Sequence, residues 1–129
     1  MDTTILRSII VDGNAQATVE RAESLGKQLA EQKLSTSQIR GIFGTVRRIE
    51  MRWPEHASAE QSKKAQRDLL LLKPKMAYQA KRERGRGVET LAGVLSDAID
   101  LVGDERAYFQ HFVDFFEAIL AYHKAHGGN

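Results

Sequence analysis

Apolar residues recur every three to four positions along most of the chain, and no stretch alternates with a period of two. Residues three and four apart share a helical face, so the pattern predicts helices throughout and no strand. Ala15, Val19, Ala22, Leu25 or Gly26, and Leu29 trace one stripe over a helix from about Ala15 to Lys33. Ile39, Ile42 or Phe43, Val46, Ile49 and Trp53 do the same for a second helix. A third starts near Glu60 and runs through Ala65, Leu69, Leu72, Met76 and Ala80. Leu91, Val94 or Leu95, Ala98 and Val102 mark a fourth over Val88–Val102. Phe109, Phe112 or Val113, Phe116, Ile119 or Leu120, and His123 mark a fifth over Glu105–His126. The expected fold is all-α, a compact bundle of about five helices with short loops. Residues 1–129 are expected to form a single domain, with a short N-terminal arm or helix over 1–13 in which Ile5 and Ile9, and with them Leu6, face one way.

Boundary signals support these spans. Ser35 and Gln38 have the capping-box spacing, and Leu34 and Ile39 are placed for a hydrophobic staple. Pro54 stops the second helix, and Ser58 or Ala59 leads into the third. Pro74 lies inside the third, where the apolar period carries across it, so a kinked continuous helix is expected rather than a break. Asp104 is placed to cap the last helix, and Gly127-Gly128 to end it. That last helix also carries a second aromatic stripe at Tyr108, Phe115 and Tyr122, more than a five-helix bundle needs to bury. These three residues are therefore expected at an interface.

Charge changes the picture more than composition does. The formal net charge is only +2, but residues 40–86 carry thirteen Lys/Arg against five Asp/Glu, net +8, while residues 1–39 are −1 and residues 87–129 are −5. Such a patch suits phosphate, which needs positive charge and no base-specific geometry. The candidate RNA-binding residues are Arg40, Arg47, Arg48, Arg52, Lys63, Arg67, Lys73, Lys75, Lys81, Arg82, Arg84 and Arg86. Lys64 lies in the same run, and Tyr78 could stack on a base or, equally, pack in a helical core. A solvated face, or a surface docking an acidic protein, would carry the same charges. Binding to phosphate alone would be sequence-independent and salt-sensitive.

No catalytic constellation is present, and no cofactor is expected. The chain has no cysteine, hence no disulfide framework and no thiolate metal site. His123 and His126 are three apart, Asp97, Asp100 and Asp104 lie at helical spacing, and His111 precedes Asp114 by three. Each reads better as a packed or solvated group than as a metal ligand. MDTTILRSIIVDG lacks a signal-peptide pattern, and no apolar run approaches a membrane span, so a cytoplasmic protein with no membrane partner is expected.

Three blocks carry a family resemblance: LSTSQIRGIFGTVRRIE (34–50), LLLLKPKMAYQAKR (69–82) and FVDFFEAILAYHKAHGG (112–128). Together they resemble the small subunit of type III-A (Csm-type) CRISPR interference complexes. The resemblance implies a small helical protein without enzymatic activity, whose copies stack along the ribonucleoprotein beside its repeated backbone subunit. It implies contact with the duplex of guide RNA and target RNA, with cleavage left to the backbone and large subunits. The alternatives are an independent, sequence-non-specific nucleic-acid-binding protein and a structural adaptor.

Overall fold

The computed structural model describes residues 3–83 and 85–129, and it is helical throughout, with no strand among them. Six helices follow one another: α1 (Thr3–Ile10), α2 (Ala15–Glu31), α3 (Thr36–Arg52), α4 (Ala59–Arg82), α5 (Gly87–Val102) and α6 (Arg106–Ala125). The all-α bundle is as expected, with one helix more than about five because the N-terminal segment is a helix rather than an arm. It turns Leu6, Ile9 and Ile10 into the core and leaves Ile5 42% exposed, so Leu6 and Ile9 of the expected face point inward and Ile5 does not.

α6 is the centre of the bundle. Its Phe109, Phe112, Phe115 and Phe116 are fully buried. Phe116 meets Phe43 of α3 edge-on at 5.1 Å, and Phe109 stacks on Trp53 at 4.9 Å. Arg106 fixes that end by donating its Nε–H to the Trp53 carbonyl at 2.6 Å. α2 runs beside α6 in the same direction: Gly13, just before α2, lies on the His111 ring, Gly26 on the backbone of Tyr122 and His123, and Thr36 N–H reaches the Asn129 carbonyl. A Cβ on Gly26 would sit 2.7 Å from the His123 amide nitrogen, so the small residue permits this approach. His123 is buried and donates from Nε2 to the Leu34 carbonyl at 2.6 Å, which accounts for it as a core residue.

The helix ends explain the remaining boundaries. Ser35 and Gln38 form the expected capping box. Ser58 and Gln61 form a second one, which starts α4. Ser58 is thus the N-cap of the two expected starts, Ser58 or Ala59, with Gln61 at the capping-box spacing from it. Asp104 does not cap α6: the N-cap is Glu105, without a side-chain hydrogen bond. α2 ends with Lys33 at φ 67°, Lys33 N–H on the Ala30 carbonyl and Leu34 N–H on the Leu29 carbonyl, the two-bond helix stop normally built on glycine. α4 passes through Pro74 without a break. The amide missing at Pro74 would have bonded the Leu70 carbonyl. Both residues lie on the exposed side of α4.

Candidate nucleic-acid interface

α3 and α4 are joined by the short loop at 53–58 and pack antiparallel. Trp53 at the end of α3 donates its indole N–H to Ser62 at the start of α4, at 3.1 Å. At the other end Gln38 of α3 donates to Glu83, just past α4, at 3.1 Å. This register sets which cations meet. Thr45, Arg48 and Arg52, spaced three and four along α3, face Asp68, Leu71 and Lys75, spaced three and four along α4. Together with Ile49 they line an open groove of about 200 Å³. Arg52, Asp68 and Lys64, with Gln61 and Ala65, continue it toward the start of α4.

The groove is positive. Arg48, Arg52, Lys64 and Lys75 stand against the single carboxylate of Asp68, 4.0 Å from Arg52. The Arg52 side chain is 65% exposed, and an ion pair this open and long contributes little, on the order of 0–1 kcal/mol. From Lys64 to Lys75 the cations span roughly 16 Å of helix axis. Guanidinium groups hydrogen-bond phosphate oxygens in pairs, and lysines add point charge, so the groove suits a nucleic-acid backbone rather than a base edge.

The other candidates lie elsewhere. Arg47 pairs with Glu50 at 2.6 Å and lies over the Phe43 ring at 5.8 Å, on the flank of α3 that turns toward α6. Arg40 shares that flank and lines a separate groove with Lys124 of α6, a cation that the sequence reading assigned to the acidic third. Lys73 leans the other way, onto Asp100 of α5 at 2.6 Å. Lys63, Arg67 and Lys81 are exposed on α4. Arg82 lies 3.5 Å from Glu83 and over the Tyr78 ring at 5.7 Å. Arg86 is exposed at the N-cap of α5, and Arg84 lies outside the described residues.

The stripe expected at an interface is largely internal. Phe115 is 0% exposed, and Tyr108 and Tyr122 are half-buried against the core. Phe115 lies on the flank of α6 shared with His111 and Tyr122, which meet the α1–α2 turn and α2. α1, the helix beyond the expected five, supplies apolar cover that the sequence reading did not count. Of the residues lining the groove, Arg48, Arg52 and Lys75 belong to the candidate set, and Lys64 belongs to the same basic run; Leu71 and Asp68 are α4 lining residues that positive charge alone does not point to. Their signal was present: positions 64, 68, 71 and 75 are spaced four, three and four, one line along a helix.

A family model for Csm2 Type III-A matches residues 12–129. The chain belongs to this family. It is a non-enzymatic small subunit of a type III-A CRISPR effector complex, and works within a multi-subunit assembly. Neither a curated protein nor a solved structure matches the chain. The family match begins after α1 and includes all three blocks that carried the resemblance. Among the described residues no cluster of His, Asp and Glu could hold a metal ion, and no helix is long and apolar enough to cross a membrane.

Proposed function

We propose that this small subunit uses the α3/α4 groove to hold the ribose-phosphate backbone of RNA, where guide RNA pairs with target RNA. Copies of the subunit stack along the complex, beside its backbone subunit and in reach of the large subunit. Base pairing supplies sequence specificity, and the subunit supplies shape and charge. The observation that carries the proposal is the convergence of Arg48, Arg52 and Lys75 from two helices onto one groove with one carboxylate among them. These three cations and Lys64 beside them repel one another along a short groove, and a polyanion relieves that repulsion.

Binding of a guide–target RNA duplex to the full chain, measured across a salt series, tests this reading. Arg48→Ala/Lys75→Ala is expected to weaken binding and to flatten the salt slope by roughly 0.7–0.9 per cation removed. Lys73→Ala, facing α5, is expected to leave the slope in place. An unchanged slope in a folded double variant would remove the groove from the RNA path.

A further inference from the structure

Tyr78 stands apart from every other aromatic residue of the protein. It is 68% exposed, whereas the five phenylalanines, Trp53 and the other two tyrosines are buried or half-buried. Its hydroxyl makes no hydrogen bond among the described residues, so neither its polar end nor its ring is used by the chain's own core. The one group that the structure places on the ring is the Arg82 guanidinium, 5.7 Å from its centre and one helical turn on. Around Tyr78 three apolar residues of α4 reach solvent: Leu71 is 41% exposed, and Pro74 and Ala77 are exposed. Lys75, which lines the phosphate groove, lies three residues before it, about 4.5 Å along the axis. Lys81 is exposed three residues after it.

The ring is bordered by cations on both sides of a short apolar strip. A folded protein partner would need to bury those cations or pair them. A nucleic-acid strand meets both demands with a single chemistry: phosphates go to the cations and a base goes to the ring. We infer that Tyr78 and Arg82 form a stacking platform for one unpaired nucleobase of the RNA strand whose phosphates occupy the α3/α4 groove. The inference rests on the groove reading above and extends it. Inside an A-form duplex the base faces are covered by their neighbours, so a ring on the crest of a helix reaches a base only where it is unstacked. The platform therefore gives the surface a preference for RNA with at least one unpaired base. Stacking accepts any of the four bases, which keeps the contact independent of sequence.

The test uses the full chain and an RNA oligonucleotide with 2-aminopurine in an unpaired tract, read by base fluorescence and by affinity across salt. Wild type is expected to quench the probe. Tyr78→Phe should keep that quenching. Tyr78→Leu should lose it and bind at least about fivefold more weakly, with an unchanged salt slope and melting temperature. The same RNA in a perfect duplex should show no dependence on Tyr78. Equal quenching by Tyr78→Leu, or an equal loss on the perfect duplex, would overturn the platform. So would a Tyr78→Leu chain that binds RNA normally yet drops out of the assembled effector, which would assign the ring to a protein partner. A wild-type chain whose binding ignores salt would instead defeat the groove reading, and the platform with it.

Discussion

A Cβ on Gly26 would lie 2.7 Å from the His123 amide nitrogen, whereas a Cβ on Gly41 would meet nothing within 4 Å. Each glycine sits inside a helix, where it costs about 1 kcal/mol relative to alanine. At the α2/α6 contact that cost is offset within the chain by close backbone packing. On the exposed side of α3 it is not, and Gly44 there has only the end of its own neighbour Arg48 within 4 Å. The same contrast holds for charge. The α2/α6 side buries His123 against a carbonyl. The α3/α4 side gathers Arg48, Arg52 and Lys75 with one distant carboxylate. One region uses its close contacts to pack the chain against itself. The other keeps local features that stability alone does not explain, which is where natural proteins tend to place function.

Substitutions can sharpen that contrast. The largest effect belongs to the closed region. Phe116→Ala removes a ring with no solvent exposure that packs on Phe43 and Phe112, and should cost about 3–5 kcal/mol in denaturant unfolding. RNA affinity of the fraction that remains folded should be unchanged. A loss below about 1 kcal/mol would mean that the α6 core is not the centre of the bundle. The two glycines make the smaller and more pointed comparison. Gly26→Ala must push apart two backbones and should destabilise by about 1–3 kcal/mol. Gly41→Ala meets open space and should stabilise by up to about 1 kcal/mol. Thermal melting of the two variants side by side checks the signs. The same sign for both would erase the distinction between the regions.

Most of the fold was legible because it depends on local rules. The period of apolar residues, the Ser35/Gln38 box and the closing Gly127-Gly128 each act within a few residues. α1 was ambiguous because eight residues carry too few turns to fix a face, and Ile5 and Leu6 compete for the inward position. Phe115 reads as surplus to a five-helix bundle in sequence, whereas the structure packs it in one core with Leu6, Ile9 and Ile10 of α1. The site was legible in composition but not in arrangement. Charge density marked residues 40–86, yet the pairing of Arg48 and Arg52 with Lys75 follows from the antiparallel register of α3 and α4. That register is set by tertiary packing between helices. The same packing sends Arg47 toward α6 and Lys73 toward α5, a division that net charge does not show.

Ultraviolet crosslinking of RNA to this subunit in the purified effector, mapped by mass spectrometry, tests the central claim most directly. The expected crosslinks fall within residues 45–52 of α3 and 64–82 of α4. Crosslinks confined to the acidic α5 and α6, with both of those segments unlabelled, would contradict it.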